Sequence, residues 1–377
     1  MLAVVIVTYF SERVVGDCLR SLQAAGAGDA RVLVVDNDSA DATVERARAA
    51  LPAVEVVRTG RNAGFAGGVN AGIAAAPGCD VLVLNPDIRL APGAITALRE
   101  ALAVPGTGIA VPRLTAEDGT VHPSLRRRPT VLRALGEALL GGYRAGRVPA
   151  LGELVVDPAA YERPGTADWA TGAAWLVSRA CLDALGPLDE RYFLYSEETE
   201  YMLRAGDHGL AVRYEPRAVA VHLGGEQATS STLWALATAN RVRLHRERHG
   251  RARALAMRGA VTLNEAVRAL ARRGGPAPGT GRPSARWSGC PPGPRRRAGP
   301  SPRGTSASPP RTGGTTTGRT PTSSSCARSP RTAGCSSSTA SACACPRPAP
   351  PPTSPGASCA SCAAWPSSCG SRTRAST

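Results

Sequence analysis

The stretch Cys79-Asp80-Val81-Leu82-Val83-Leu84-Asn85-Pro86-Asp87 decides the predicted fold. Its apolar run, residues 81–84, is typical of a strand buried on both faces of a sheet. The strand should end at the Asn-Pro-Asp turn, because Pro86 has no N–H group to donate to a neighbouring strand. A carboxylate therefore follows a central strand, at the edge where open α/β sheets bind their ligands. An ordinary turn would give the same pattern, so this stretch alone leaves both interpretations open.

Apolar strands alternate with amphipathic helices along the first 112 residues. Further strands are predicted at residues 3–8, 31–36, 54–57 and 109–111, and helical periodicity fills most of the segments between them. The connections are short. This alternation predicts an α/β fold with a mainly parallel central sheet covered by helices on both sides.

Charge and cysteine both divide the chain near residue 272. The formal net charge of the 377 residues is +16, but residues 1–272 hold 31 Arg and 29 acidic residues, a net charge of +2. The excess lies in residues 273–377, so it does not predict a nucleic-acid partner for the folded part. Of the 11 cysteines, only Cys18, Cys79 and Cys181 precede residue 273. They lack metal-ligand spacing, and we expect each to be a small buried hydrophobe.

The C-terminal segment, residues 273–377, contains no Leu, Ile, Val, Met, Phe or Tyr. It cannot bury enough apolar surface to offset chain entropy, so we predict a disordered tail. The chain has no Lys, which points to a GC-rich gene, and such a gene read out of frame would give this composition. A frameshift product is favoured over a genuine extension, because a cytosolic linker would rarely carry eight cysteines. Translating the other two reading frames distinguishes the two.

Two further features bear on location and organisation. The N-terminus runs into a strand without a basic segment, and no apolar run reaches the roughly 18 residues of a membrane span, so we expect a reduced, cytosolic protein.

Residues 113–165, with the run Arg126-Arg127-Arg128, are predicted to form a long, variable loop that could carry one short helix.

Polar landmarks follow the strands in a fixed order. They are Thr8-Tyr9-Phe10, Asp36-Asn37-Asp38-Ser39, the Gly-rich segment 62–72, Asn85-Pro86-Asp87, Gly172-Ala173, Glu197-Glu198-Thr199-Glu200 and His222-Leu223-Gly224-Gly225. With these landmarks, residues 2–250 resemble the family 2 glycosyltransferases, in particular the rhamnosyltransferase-like branch. The resemblance implies a GT-A fold in a single domain, residues 1–250, that binds a nucleoside-diphosphate sugar and a divalent metal. It also implies a nucleotide-sugar-binding half at 1–112 and an acceptor and catalytic half at 166–225. The residue pattern itself predicts helices at 43–50 and 179–185 and short strands at 211–214 and 218–222. It also predicts C-terminal helices within 226–272, at 234–249 and 251–272.

The resemblance implies a donor site built from the first half. Its candidate residues are Thr8, Asp36, Asp38, Asn62, Gly64, Asn70 and Asn85. A carboxylate at a strand end, such as Asp36, can accept hydrogen bonds from a pyrimidine or a ribose, but a local helix cap explains it too. The Gly-rich segment lets the backbone approach a ligand, and its helix N-terminus favours a diphosphate. It lacks the Gly-x-Gly-x-x-Gly pattern that a dinucleotide site requires.

The resemblance also implies a metal site at Asp87 and His222. Asp87 corresponds to the last acid of the family's Asp-x-Asp motif, whose first acid is replaced by Asn85. Mg²⁺ commonly takes only one or two carboxylates and lets substrate phosphates complete its shell, so one Asp suffices. His222 matches a position that helps to hold the metal, and a His ligand makes Mn²⁺ as credible as Mg²⁺. A purely structural histidine is the alternative.

The acidic cluster Glu197-Glu198-Thr199-Glu200 matches the family's Glu-Asp-x-Asp motif, with Glu replacing Asp twice. Inverting transfer needs a carboxylate to take the proton of the acceptor hydroxyl, and the matching position is Glu198. Glu197 and Glu200 are candidates for ordering the acceptor. A solvated acidic first turn of a helix is the alternative. Trp169 could line the acceptor sugar, although core packing explains a tryptophan equally well.

The resemblance therefore implies an inverting, metal-dependent glycosyltransferase of cell-envelope polysaccharide synthesis. The predicted donor is a TDP- or UDP-sugar, with rhamnose the leading sugar. The predicted acceptor is a saccharide, carried on a polyprenyl diphosphate lipid, which would place the enzyme peripherally at the inner face of the cytoplasmic membrane. A sugar-nucleotide nucleotidyltransferase would need a basic Gly-rich loop where this chain has Tyr9-Phe10-Ser11-Glu12. A non-catalytic nucleotide-sugar-binding remnant is the second rival, which a turnover assay distinguishes.

Overall fold

Strands alternate with helices along the chain. The computed structural model describes residues 1–224 and 231–273, so the predicted disorder of the tail lies outside the described residues. The strands are β1 (Leu2–Thr8), β2 (Arg31–Asp36), β3 (Glu55–Arg58), β4 (Asp80–Leu84), β5 (Ile88–Leu90), β6 (Thr107–Thr115), β7 (Leu125–Arg126), β8 (Gly165–Ala167), β9 (Trp169–Ala170), β10 (Ala174–Val177) and β11 (Ala211–His222). The helices are α1 (Val15–Ala25), α2 (Thr43–Ala50), α3 (Gly64–Ala75), α4 (Ala94–Leu102), α5 (Val131–Leu140), α6 (Gly142–Gly146), α7 (Arg179–Leu185), α8 (Glu197–Asp207) and α9 (Ser231–Arg273).

The central sheet is mainly parallel, which confirms the predicted α/β class. Its order is β3-β2-β1-β4-β10-β6-β11-β5, with β8 also paired to β11. Strands β3, β2, β1 and β4 pair in parallel, as do β6 and β11, while β10 runs antiparallel between β4 and β6. The carboxyl ends of β1, β2 and β4 therefore lie at one edge of the sheet, where Thr8, Asp36 and Asn85 are found.

Helices cover both faces of this sheet, as predicted. On one face the buried side chains of α1 and α4 join those of β1 and β4, including Leu19, Leu22, Ile95, Leu98, Ile6 and Leu84. On the other face α3, α7 and α8 contribute Val69, Leu182 and Met202, which pack with Val83 and Trp175. Cys18, Cys79 and Cys181 are buried free thiols, as expected from their scattered positions.

Segment 113–165 is more regular than predicted. A long loop with one short helix was expected, but the segment holds the end of β6, β7, the two helices α5 and α6, and a 3₁₀ turn at Pro158–Tyr161. The Thr130 hydroxyl caps α5 by accepting a hydrogen bond from Arg133 N at 3.2 Å. Buried Ala134 packs against Met257 and Ala260 of α9. The pattern was not visible in the sequence because α5 buries small side chains against a partner far along the chain.

The C-terminal part follows the predicted helices. Helix α9 is broken at Gly250, whose φ of 83° is not helical, and this break separates the two predicted helices. The two short strands predicted near residues 211–222 form one strand, β11, with an irregular register between Glu215 and Val219. Within residues 1–224 and 231–273, none of the helices has the length and hydropathy that crossing a bilayer requires.

Candidate active site

Asp87 and His222 meet at the carboxyl edge of the sheet. Asp87 ends the turn after β4 and directly precedes β5, and Ile88 of β5 pairs with His222 at the end of β11. This pairing brings Asp87 Oδ2 to 3.2 Å from His222 Nε2. Their side chains are 20% and 27% exposed, so neither is fully buried. The structure therefore brings together the two residues predicted to hold a metal.

The first turn of α8 is connected to the loop that carries Asp87 through the turn at Gly172 and Ala173. Glu198 packs on Gly172, where an added Cβ would lie 3.1 Å from the Glu198 Cβ and Cγ atoms. The next residue, Ala173, accepts a hydrogen bond through its carbonyl from Asn85 N at 2.8 Å. The turn at Gly172 and Ala173 therefore links the loop that carries Asp87 to the predicted base.

Glu197 and Glu198 are neighbouring carboxyls with different surroundings. Glu197 is 2% exposed, and among the described residues the Oε2 atoms of both Glu197 and Glu198 are buried without a hydrogen-bond partner. Burial, and then the charge of Glu198, raise the pKa of Glu197 well above its ordinary value. Burial also raises the pKa of Glu198, but backbone N–H groups at the start of α8 and the charge of Arg126 oppose this rise. Repulsion between two charges on this pair favours a single proton shared by the two carboxyls.

Glu200, the third acid of the cluster, is engaged in an ion pair with Arg204. Its two carboxylate oxygens accept hydrogen bonds from Arg204 Nε at 3.0 Å and Nη2 at 2.9 Å. Arg204 also donates to the carbonyls of Leu185 and Pro187. Glu200 therefore helps to join α8 to the end of α7, and the structure does not bring its carboxylate to the Asp87 loop.

Asp36 is buried at the end of β2. Its Oδ1 accepts a hydrogen bond from Thr8 Oγ1 at 3.2 Å, and its Oδ2 accepts one from Ser39 N at 3.1 Å. The carboxylate thus shapes the turn that contains Asp38, whose φ is 65°. The helix cap considered from the sequence does not form, because α2 follows Ala42 without a side-chain cap and Asp36 closes the preceding turn. Contact of Asp36 with a nucleobase or ribose stays a prediction.

The Gly-rich entry to α3 is a tight backbone turn. Asn62 Oδ1 accepts a hydrogen bond from Gly64 N at 3.0 Å. Gly64 has a φ of +75°, and an added Cβ would lie 2.3 Å from the Phe193 carbonyl oxygen, so only glycine fits. Asn70, further along α3, donates to Leu188 O at 3.0 Å and accepts from Leu188 N at 2.9 Å. These bonds give Asn70 a structural role, and its contact with the donor stays a prediction.

Two residues near the site were missed as candidates in the sequence. The ring of His122 lies 6.3 Å from that of His222, and burial lowers the pKa of His122. Arg126 lies with its guanidinium carbon 5.7 Å from the centre of the Trp169 ring. Trp169 itself donates through Nε1 to Arg127 O at 3.0 Å. The arginine run was visible in the sequence, but its position beside the site depends on the pairing of β7 with β9.

Comparison with known proteins identifies the family. The model of glycosyl transferase family 2 matches residues 3–151. The N-acetylglucosaminyl-diphospho-decaprenol L-rhamnosyltransferase of Mycobacterium tuberculosis is 35% identical over 236 residues, which cover 59% of this chain and 76% of that protein. The chain belongs to glycosyl transferase family 2. It is therefore a glycosyltransferase, as predicted.

More distant relatives agree with this family 2 assignment. The low-salt glycan biosynthesis hexosyltransferase Agl10 of Haloferax volcanii is 28% identical over 209 residues, 54% of this chain and 61% of that protein. The crystal structure of GalNAc-T7 with UDP, GalNAc and Mn²⁺ superposes with a TM-score of 0.50 at 16% identity, covering 65% of this chain and 48% of that chain. At this identity the likeness concerns the fold alone, and it agrees with the predicted GT-A fold.

The Asp87–His222 pair fits a divalent metal in this family 2 glycosyltransferase. The described part of the chain contains no group of three or more His, Cys, Asp or Glu side chains that could hold a metal ion. Adjacent ligands of an octahedral ion at about 2.1 Å lie about 3 Å apart. The observed separation of 3.2 Å between Asp87 Oδ2 and His222 Nε2 suits two such ligands. Substrate phosphate oxygens would have to supply most of the remaining ligands.

Proposed function

We propose that this glycosyltransferase moves a sugar from a TDP- or UDP-linked donor to a saccharide on a polyprenyl diphosphate lipid. Rhamnose is the leading candidate for that sugar. The observation that carries the proposal is the hydrogen bond from Asn85 N to Ala173 O, at 2.8 Å. It joins a metal-binding pair to a turn packed on a carboxylate base, the two elements that inverting transfer needs. The substrate class is supported by the name of the mycobacterial relative.

The donor is proposed to bind along the carboxyl edge of β1, β2 and β4. Asp87 and His222 would hold Mg²⁺ or Mn²⁺, which supplies positive charge to the leaving diphosphate when it is bound. Nucleoside contacts are assigned to Thr8, Asp36, Asp38, Asn62, Gly64 and Asn85. Asn85 keeps a hydrogen-bonding group at the motif's first position without adding a second carboxylate.

Glu198 is the proposed general base. Its carboxylate takes the proton of the acceptor hydroxyl while the hydroxyl oxygen bonds to the anomeric carbon and the bond to the diphosphate breaks. When the shared proton is on Glu197, the pair carries a single negative charge, on Glu198. Trp169 is assigned to the acceptor side, since it precedes the Gly172 turn that contacts Glu198.

A nucleotidyltransferase fits this site less well. The loop after β1 exposes Tyr9 and Phe10 to the extent of 41% and 50%, where a triphosphate would need a basic Gly-rich loop. The Phe10 amide is bonded to Ser39 Oγ at 2.9 Å. The geometry of this loop therefore favours sugar transfer.

We propose that the corner between α5 and α6 makes the peripheral membrane contact. Leu139, Leu140 and Tyr143 are exposed there, and exposed Arg144 and Arg147 form no ion pair among the described residues. Apolar, aromatic and cationic side chains without acids suit the interface of an anionic membrane. Co-sedimentation with phosphatidylglycerol vesicles, but not with phosphatidylcholine vesicles, is expected. Equal sedimentation of wild type and Leu139→Ser/Tyr143→Ser would contradict this contact.

A thermal-shift panel of nucleotide sugars tests the donor class. We expect stabilisation by a TDP- or UDP-sugar that requires Mn²⁺ or Mg²⁺ and is lost with EDTA. A ligand at a hundred times its Kd adds about 2.7 kcal/mol to the free energy of unfolding, which a melting shift reports readily. Transfer to a lipid-linked saccharide is then measured with the donor that binds. Equal melting temperatures with all nucleotide sugars, or a shift that EDTA leaves unchanged, would contradict the proposal.

A further inference from the structure

Arg126 differs from its two neighbours in the run Arg126-Arg127-Arg128. Arg127 donates to the carbonyls of Gly146, Gly152 and Leu154, and Arg128 pairs with Asp168 and Asp207. These two arginines have structural roles. Within the described ranges, Arg126 has no ion pair, and only its Nη1 makes hydrogen bonds, to Pro123 O at 2.6 Å and Leu125 O at 3.3 Å. Its Nε and Nη2 groups have no described partner.

Arg126 lies beside the proposed base. Pairing of β7 with β9 sets it opposite Trp169, and its guanidinium carbon lies 5.7 Å from the centre of that ring. Trp169 leads into the turn at Gly172, on which Glu198 packs. Consistent with this proximity, the charge of Arg126 opposes the rise that burial causes in the pKa of Glu198. The site therefore holds a half-buried cation with free donors, next to the residue that receives the acceptor's proton.

The charges of Glu153 and Glu137 reach Arg126, but both carboxylates are hydrogen-bonded to Arg241. A half-buried guanidinium without a directly paired anion is costly unless a ligand supplies one. In an inverting displacement the attacking and leaving oxygens lie on opposite sides of the anomeric carbon. The donor diphosphate belongs with Asp87 and His222, so an anion beside Glu198 comes from the acceptor. A saccharide attached to polyprenyl diphosphate carries that anion next to its first sugar.

We propose that Arg126, held on the face of Trp169, binds the diphosphate of the lipid-linked acceptor. This inference rests on the proposed function, since it assigns the acceptor's anion to one residue. Guanidinium N–H groups match phosphate oxygens in pairs, whereas a lysine in the same place offers only a point charge. The residue therefore selects acceptors that carry a diphosphate over neutral saccharides.

Calorimetry with two probes tests this without turnover. One probe is N-acetylglucosamine linked to a short polyprenyl diphosphate, and the other is the same sugar as a neutral alkyl glycoside. Hydrogen bonds to charged groups correspond to roughly 10- to 150-fold in affinity. For Arg126→Gln we expect a loss in that range for the diphosphate probe and less than about two-fold for the glycoside. Arg126→Lys should fall between, and Arg163→Gln, which removes an exposed arginine, should bind both probes like wild type.

Two outcomes would overturn the assignment. If Arg126→Gln weakens the nucleotide sugar and not the diphosphate probe, the arginine belongs to the donor. If both acceptor probes bind like wild type and only the pH profile of turnover shifts, Arg126 is a positioning residue for Glu198. A wild-type protein that binds the diphosphate probe through Arg126 but transfers no sugar would refute the proposed function and leave this site standing. Melting temperatures of both variants show whether they fold.

Discussion

Removing the Asn240 side chain should loosen the loop that precedes α8. Asn240 lies on α9, is 3% exposed, and was not a candidate in the sequence. Its Nδ2 donates to the carbonyls of Tyr192 at 2.7 Å, Leu194 at 3.0 Å and Tyr195 at 3.0 Å. An amide carries two N–H donors, so the three carbonyls share them. One side chain from a distant helix therefore fixes the backbone just before Glu197.

This loop needs support because its backbone is strained. Phe193, Tyr195 and Ser196 have positive φ angles of 61°, 69° and 75°. Each such conformation costs on the order of 1–3 kcal/mol and persists only when the surroundings impose it. Asn240→Ala leaves at least two carbonyls without donors, at about 1–3 kcal/mol for each one that stays buried. Partial relaxation reduces the sum, and we expect the free energy of unfolding to fall by about 2–4 kcal/mol.

Urea denaturation followed by tryptophan fluorescence measures this change. Asn264→Ala is the matched control, because Asn264 lies on α9 beyond the break at Gly250 and contacts only Glu265, at 3.1 Å, among the described side chains. Its loss should stay within about 0.5 kcal/mol. Turnover of Asn240→Ala should fall as well, since the loop sets the position of Glu198. A loss below about 1 kcal/mol, or equal losses in the two variants, would refute the reasoning.

Three further substitutions test separate parts of the account. Asp87→Asn should weaken metal-dependent donor binding at least about ten-fold in calorimetry with and without Mn²⁺, and unchanged metal dependence would move the metal site elsewhere. Because the pKa of Glu197 is raised in the folded state, wild-type stability should fall as the pH rises above the ordinary glutamate pKa of 4.5, and Glu197→Gln should flatten that decline; parallel curves would contradict the raised pKa. Gly64→Ala should cost about 2–4 kcal/mol through its positive φ and its clash with Phe193, against about 1–2 kcal/mol for Gly78→Ala, which has φ +76° and open space. Equal costs would show that the clash is relieved.

Strands β1, β2 and β4 were predictable because each is a nearly unbroken apolar run. Strand β5 was missed, because it has only three residues and Arg89 interrupts it. The bounds of α2 and α7 agree with the helical periodicity residue for residue. Segment 113–165 was not predictable, because α5 gains its place from contact with α9. Periodicity reports a buried face but not the distant helix that covers it.

The candidate site was predictable in part. The strand that ends at Asp87 is visible in the sequence, but the 3.2 Å approach of His222 arises from the pairing of β5 with β11. The structural role of Asn70 depends on Leu188, a distant contact that no local pattern encodes. The Glu200–Arg204 pair, in contrast, has the i,i+4 spacing of a helical ion pair, which is visible in the sequence. The N–H groups of Arg126 that lack a described partner become apparent only when its contacts are compared with those of Arg127 and Arg128.

Turnover of Glu198→Gln with the donor affinity measured alongside tests the central claim most directly. The substitution keeps the shape of the side chain but cannot accept the acceptor's proton. General-base assistance contributes about 10²–10⁴-fold in rate, so kcat should fall by a factor in that range while the Kd for the nucleotide sugar stays within about two-fold of wild type. Glu200→Gln is the control, and we expect its kcat to stay near that of wild type wherever the variant is folded. Near-normal kcat in Glu198→Gln would contradict the account and place the base outside the first turn of α8.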